Sequence, residues 1–567
     1  MARSSTPGFS NSISSTAIPV RRRTLSKRSD PDYDLFNSTA QRWLYNEPLR
    51  LAERQRIFNL PGLRQLAAQS VGRQPSDILS LSKLGEGSFN RTFLITMRDG
   101  FQMVARVPYG FPPVYLTVAS EVATMDLLHS KGIPVPRIYG YNPSPDNEAR
   151  TEYMFMEYMQ ATSLADVWQD AVHSEPGEAR LILEQVLEVE AKVASLTFPA
   201  GGSIYYKRDL EGLVTRSPIP LEDDRFCVGP DVNFMSWFGR RSQLDVDRGP
   251  FTRAQDMLLA PALEELAYLK QFGRPLLPFR RQRRKGYGYK EQFPAEHTAN
   301  LRRYLEMVPS LIRNTHTDLG RFCLRHPDLR DGNIFVERRS DSTGSSSGAG
   351  NGKWRIVSII DWERTSVLPE FLHDSVFQQL CIDDPPDPNN PSADPNEGRW
   401  HPNIAPSLPE NFDKITDGGQ RAKVEETYRR QFINHLYVQS GTPWMGETLE
   451  LKVGLMKAAE NWGALNGVAR GSSVPAPSCP VTFDPQDVVE TMALMKAQAK
   501  VDWNLEAFEG VFRISDEGKV DAENYRNARK MCREELAEQL ERAETEEERE
   551  RVKEHWVYND MDEGEYM

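Results

Sequence analysis

No two of the five cysteines stand in a C-x-x-C pair; they fall singly at 227, 323, 381, 479 and 532. That scatter supplies neither a thiolate metal site nor a disulfide framework, and a reducing compartment is the expectation. No apolar run approaches the ~18 residues that span a bilayer, and no signal-peptide core is present. A soluble, non-secreted protein is expected. Positive charge is not in excess either: 69 Lys and Arg against 81 Asp and Glu give a net charge of −12. This balance argues against electrostatic capture of nucleic acid as the main task. A local absence points elsewhere. Residues 1–29 hold no Asp or Glu, while Arg3, Arg21, Arg22, Arg23, Lys27 and Arg28 sit among many Ser and Thr. That is transit-peptide composition, with an ordinary basic tail as the competing reading because Pro7 and Pro19 interrupt any amphipathic helix.

What is present is globular in composition, 39% hydrophobic and 26% charged over 567 residues, enough for two or more cores. Its most informative stretch is RFCLRHPDLRDGNIFVE, Arg321 to Glu337. Phe322–Leu324 and Ile334–Val336 read as short buried strands, so the polar turn between them is held at both ends. Within it His326, Asp328 and Asn333 follow H-x-D-x-x-x-x-N, in which the Asp takes a hydroxyl proton and the Asn ligates Mg²⁺. A plain polar turn is the alternative, since Asp, Gly and Asn are common turn residues. Downstream, the β-branched run Ile356–Ile360 ends in Asp361, where a carboxylate at a strand end is placed to hold a metal. The Gly- and Ser-rich connection from Ser340 to Gly352 reads as a flexible surface loop.

Upstream, ILSLSKLGEGSFNRTFLITMRDGFQMVARVPY alternates as strands, with Gly85, Gly87 and Ser88 in the turn between the first two. Glycine there lets backbone N–H groups approach phosphate oxygens, although the third Gly of G-x-G-x-x-G is missing and Asn90 takes its place. Arg106 occupies the strand position where V-A-I-K carries a phosphate-contacting lysine. The following helix has Val118, Val122, Met125 and Leu128 on one face, and Glu121 is the candidate partner of Arg106. The organisation read from the text is a basic segment at 1–30, a helical extension at 31–75 and a β-rich lobe at 76–160. A helical lobe covers 161–510, with an aromatic- and Gly/Pro-rich insertion at 201–275 beside the cleft, and an acidic helix covers 511–567. Arg280, Arg281, Arg283, Arg284 and Lys285 form the one dense basic run, read as a solvated face, or as a phosphate-binding or nuclear-address patch.

Together LGEGSFN, VARVPY, ASEVATMDLLHSKGIPVPRIYGY, RHPDLRDGNIF and IIDWE resemble, in order and spacing, the aminoglycoside phosphotransferase family, over roughly residues 75–375. The flanking YNE, GSIYY, DRGP and LPENF segments resemble a fungal, mitochondrial subgroup of it. The resemblance implies an α+β, protein-kinase-like two-lobe fold with a small β-rich N-lobe and a large, mostly helical C-lobe carrying insertions. It implies an ATP- and Mg²⁺-dependent transfer of phosphate to a hydroxyl of an unknown small molecule, with no membrane span and no nucleic-acid partner. Carried over by position, Asp328 is the catalytic base, Asn333 and Asp361 ligate Mg²⁺, and Gly85, Gly87 and Ser88 form the phosphate loop. Arg106 and Glu121 are the ion pair. Arginine in place of lysine at 106 changes the geometry of that pair, which leaves a nucleotide-binding pseudokinase or scaffold as the alternative.

Overall fold

The computed structural model describes residues 32–174, 177–214, 216–313, 320–339, 353–373, 406, 417–466, 468 and 477–567. The basic segment at 1–29, the Ser340–Gly352 loop and almost all of the Pro- and Asp-rich stretch after Asp374 lie outside the described residues.

Period-two alternation builds the N-lobe. Strands β2 (Ile78–Glu86), β3 (Asn90–Met97), β4 (Gln102–Pro108), β5 (Ile138–Asn142) and β6 (Tyr153–Glu157) form one antiparallel sheet in the order β2-β3-β4-β6-β5. Successive side chains on a strand point to opposite faces, so β4 and β6 serve two cores. Met103, Ala105, Val107, Tyr153 and Phe155 join a core with Phe36, Phe58, Leu63 and Ala67 of the N-terminal extension. Val104, Met154 and Met156 pack on the other face against Val122 and Met125 of helix α3 (Val114–Ser130). Parity with Val104 carries Arg106 to this second face. Helix α3 is buried on nearly every side, from Thr117 to Met125 and again at Leu127 and Leu128, where one apolar face was expected. Its outer side is covered by the strand Ser203–Tyr206 of the 201–275 insertion, while Glu121, 3% exposed, faces Arg106 of β4.

The extension reads differently from its sequence in one respect. Helices α1 (Glu47–Arg54) and α2 (Leu60–Ser70) form, and Phe58 and Leu63 are buried, but Leu49 and Ile57 are exposed. What α1 buries is Arg50 and Arg54. Strand β1 (Gln41–Trp43) pairs antiparallel with β11 (Lys519–Asp521), joining this extension to the C-terminal region.

The C-lobe core continues under the site. Strand β7 (Phe322–Leu324) lies between β10 (Val367–Pro369) and the short strand Thr197–Phe198. Strand β8 (Ile334–Arg339) pairs antiparallel with β9 (Lys353–Ile359), with a register shift between Phe335 and Val336. Helices α4 (Leu164–Ser174) and α5 (Glu178–Ser195) follow the N-lobe; α5 buries Ile182, Val186 and Val193 and leaves Leu181 and Leu187 exposed. A second core gathers α6 (Ala254–Phe272), α7 (Pro294–Arg313), α8 (Gly418–Ser440) and α9 (Leu449–Glu460). Behind it lie α10 (Pro485–Phe512), α11 (Tyr525–Arg542) and α12 (Glu546–Glu554).

The basic run at 280–285 is not a solvated face. Arg281, Arg283 and Arg284 are buried, and Arg283 pairs with Glu447, Glu450 and Asp502 from α10 and the segment that leads into and through α9. Arg280 shares Glu450, and Lys285 pairs with Glu548. The charges of Arg280 and Arg283 are thus met by acids of this chain.

Candidate active site

The polar turn forms between two buried strands. Leu324 at its entry and Ile334 at its exit are fully buried, and Leu329 within the turn is also in the core. The turn is tied together by a histidine. His326 Nε2 donates to the carbonyl of Ile360 at 2.8 Å, and its Nδ1 accepts the Asp328 backbone N–H at 3.1 Å, a pattern that assigns the neutral Nε2–H tautomer. Burial pushes the His326 pKa down, and Trp362 packs edge-on at 4.5 Å. Asn333 is buried, donating its side-chain amide to the Asp328 carbonyl at 2.8 Å and to Asp328 Oδ2 at 3.3 Å. With the amide nitrogen so used, Asn333 Oδ1 accepts no hydrogen bond among the described residues. Asp328 itself points outward, its side chain 54% exposed and paired with the equally exposed Arg330 at 3.0 Å. An exposed pair of this kind is weak and leaves the carboxylate accessible.

Asp361 is brought beside this turn by the main chain. The Ile360 N–H donates to the Asn333 carbonyl at 3.0 Å while the Ile360 carbonyl takes the His326 proton, so the residue after it must follow. Asp361 has φ 70, a left-handed conformation costly for a residue with a Cβ and enriched at functional sites. The kink ends β9 and turns the carboxylate toward Arg106.

Arg106 is the hub. One guanidinium nitrogen donates to Glu121, and the other donates to Asp361 Oδ1 at 2.8 Å and to Glu363 Oε2 at 2.9 Å. Asn90, in the place of the missing third glycine, donates its amide to the same Glu363 oxygen. Three carboxylates thus converge on one buried cation. Burial pushes the Glu121 and Glu363 carboxyl groups up, against the pull of Arg106. Burial also works against ionisation of Asp361, but there the Arg106 guanidinium prevails and holds the carboxyl below the usual range.

The Gly-rich turn closes over this cluster. The Gly87 N–H donates to the Asn90 carbonyl at 2.8 Å, and Gly87 and Ser88 are exposed. Neither Gly85 nor Gly87 has a positive φ, and a Cβ on Gly87 would meet only the Asn90 carbonyl, at 3.4 Å. The fold does not itself require glycine at 87. Three contacts brace the turn. Glu86 accepts from Ser38 at 2.7 Å and from Lys83, tying it to the extension. Phe89 at the tip packs on Phe111 at 5.9 Å and on Phe234 of the insertion at 5.4 Å. Arg364 lies over both Phe89 and Phe234, at 5.0 and 4.9 Å.

The structure therefore brings together every residue nominated from the sequence. Asp328, Asn333 and Asp361 are joined through His326 and Ile360, Arg106 spans Glu121 and Asp361, and Gly85, Gly87 and Ser88 end in Asn90 at the same cluster. Glu363, Asn90, Arg364 and Phe234 were not nominated. Glu363 had one local signal, an acid two residues beyond Asp361, and Asn90 stood in the third glycine's place; Arg364 and Phe234 have none.

Among the described residues no three His, Cys, Asp or Glu side chains converge as a metal-binding cluster. The donors available, Asn333 Oδ1 and the second oxygen of Asp361, suit a hard cation that keeps several waters, as Mg²⁺ does, better than one needing an all-protein cage. No helix of the described residues is long and apolar enough to cross a membrane.

Comparison with known proteins adds four findings. A subtelomeric hrmA-associated cluster protein of Aspergillus fumigatus is 26% identical over 545 residues, covering 85% of this chain and 97% of that protein. The altered inheritance of mitochondria protein 9 of Yarrowia lipolytica is 24% identical over 376 residues, covering 62% of this chain and 61% of that protein. Among solved structures, a Plasmodium vivax ethanolamine kinase superposes with a TM-score of 0.30 at 12% identity, covering 74% of this chain and 82% of that one. The profile of the phosphotransferase enzyme family matches residues 80–369, from the first strand of the N-lobe sheet through the turn after Asp361. With just over half of its length matched, and with the two-lobe α+β architecture the motifs predicted, the chain belongs to the phosphotransferase enzyme family.

Proposed function

We propose that the protein transfers the γ-phosphoryl group of ATP to a hydroxyl of a small molecule. The observation that carries this reading is the junction at Ile360, which sets an exposed carboxylate (Asp328) beside two hard oxygen donors (Asn333 and Asp361). In this reading Asp328 accepts the acceptor's hydroxyl proton, and Asn333 and Asp361 hold Mg²⁺. The turn of Gly85, Gly87 and Ser88, exposed at Gly87 and Ser88, faces the polyphosphate. Bound Mg²⁺ supplies the neutralising charge that lets the terminal phosphoryl group leave. Arg106 holds Asp361 in place from the inside and keeps Glu121 and Glu363 from turning their charge on the nucleotide. His326, as a neutral donor, fixes the turn that aims Asp328.

The test separates base from metal ligand. Purified protein is incubated with γ-labelled ATP, Mg²⁺ and a metabolite extract. The wild type is expected to label a small molecule, and Asp328→Asn to keep ATP affinity while transfer falls by at least ~10²-fold, the contribution of a general base. Asp361→Ala is expected to lose Mg²⁺-dependent ATP binding. Transfer undiminished in Asp328→Asn would remove the assignment.

A second reading rests on one contact. Arg106 occupies an oxygen of Asp361, the residue proposed to hold the metal. A nucleotide-binding pseudokinase or scaffold would be built this way, and it would bind ATP with no labelled product in either variant. For localisation, the acid-free segment 1–29 and the mitochondrial name of the Yarrowia relative support a mitochondrial protein. A reporter fused to residues 1–29 should enter mitochondria; a cytosolic reporter would sink that reading.

A further inference from the structure

A cavity of about 600 Å³ lies at the back of the C-lobe, among the 281–289 segment, α10, α11, α12 and the residues after α12. None of its walls comes from the strands that carry Asp328, Asn333 or Asp361. Its size is that of a small-molecule site. The floor is hydrocarbon: Val501, Leu505, Phe508, Val552 and Trp556. The rim is cationic, with Arg281, Lys285, Arg542 and Arg551 against the carboxylates of Glu535 and Glu548, in a protein whose net charge is −12.

Arg281 is the telling member. It is 7% exposed, and both terminal nitrogens donate to main-chain carbonyls, of Val557 and Asn559. No carboxylate lies within ion-pair distance of it among the described residues. Arg284, just behind, is equally buried and meets Pro278 O, His555 Nδ1 and the Tyr566 hydroxyl, again with no carboxylate. Between them in sequence, Arg283 has three acids. The chain therefore pairs the arginine turned toward α10 with acids and leaves two beside the cavity without an ion-paired carboxylate, Arg281 lying instead over the Tyr45 ring at 4.6 Å, an arrangement that a bound anion would stabilise. Burial, with the like charge of Arg284, brings the Arg281 guanidinium down to about 10. Of the other rim cations, Arg542 and Arg551 hold exposed partners, Glu538 and Glu547, that are easily released, and Lys285 holds the half-buried Glu548.

The walls also narrow the ligand's body. Tyr289 has one face stacked on His555 at 4.8 Å and Arg551 over its ring at 5.3 Å, so it is not free to stack a base. Branched aliphatic side chains and ring edges suit a flexible chain. We infer that this cavity binds an amphipathic anion, an alkyl or acyl chain bearing one oxyanion head, with the head on Arg281 and the rim cations and the chain on the Leu505–Val552 floor.

The experiment is isothermal titration of the full chain with octyl phosphate, octanoate, octanol and inorganic phosphate. Octyl phosphate or octanoate is expected to bind at one site and raise the melting temperature, and whichever is tighter tells a phosphorylated from a carboxylate ligand. Octanol and inorganic phosphate, each lacking half of the ligand, are expected to bind at least ~10-fold more weakly, as loss of a charged hydrogen-bonded contact implies. Val552→Trp fills the floor and should abolish binding with ATP affinity unchanged. Arg551→Gln, on the exposed rim, leaves the packing intact and should weaken octyl phosphate several-fold but not octanol. Octanol binding as tightly as octyl phosphate, Val552→Trp binding as the wild type does, or no anionic probe binding by about 1 mM would each overturn the inference.

Discussion

Position 106 shows how one side chain can decide between two readings of a site. A lysine there would present a single point charge, whereas the planar fork of arginine reaches Glu121 with one nitrogen and Asp361 and Glu363 with the other. Arg106→Lys should leave at least one buried carboxylate without its donor, at a cost of about 1–3 kcal/mol, read as a lower urea midpoint. Its effect on transfer then discriminates. A working kinase adapted to arginine loses activity or keeps it in the lysine variant; transfer that appears only with lysine marks the natural protein as a pseudoenzyme. The parity of β4 made the direction of Arg106 legible in the sequence, and the spacing of His326, Asp328 and Asn333 made the turn legible. Glu363 and Asn90 were not, because their contact joins residues 273 apart and leaves no periodicity in either neighbourhood.

Elements were legible where their pattern was local and failed where a distant segment covered them. The N-lobe strands follow from alternation alone. Helix α3 does not, since its second apolar side is needed only because Ser203–Tyr206 packs across it. The basic run misled for the same reason, its acids lying at 447, 450 and 502. Arg283 is 2% exposed and links the 281–287 turn to α10 and the α9 region. Replacing it with Met strands three acids in the interior, and unfolding should require about 3–5 kcal/mol less, measured by urea denaturation. An unchanged midpoint would show that the neighbouring Arg280 takes over those carboxylates.

At the scale of the whole molecule the charge state of buried groups sets the response to acid. His297 is 2% exposed, stacks on Trp444 at 5.6 Å and is pushed down to about 3 by burial. Its folded value lies below the unfolded value of about 6.5, so between those limits the unfolded chain binds a proton that the folded chain refuses. Stability from this residue is whole above about pH 6.5 and is lost as pH falls. Glu264, pushed up to about 7 by burial, works in the opposite direction, so the informative quantity is a difference between variants. From pH 6 to pH 4 the wild type should lose stability faster than His297→Gln, by about 1.4 kcal/mol per pH unit. Parallel stability profiles for the two proteins would show that His297 does become charged in the fold.

Strand β1 pairs with β11, and around that pair Asn46 meets Asp560 across 514 residues of chain while Arg50 meets Glu563 across 513. During synthesis, then, the 41–54 segment of the extension waits for the 519–563 segment to be made. At about 5–20 residues per second that interval is tens of seconds to minutes, during which Trp43 lacks its partner strand and Arg50 and Arg54 have only Glu53 of their own helix as an acid. A variant lacking the segment from Lys519 onward should have this clasp open, with Trp43 without its partner strand and Arg50 without Glu563. The clasp thereby ties the order of the 41–54 segment to the presence of the 519–563 segment.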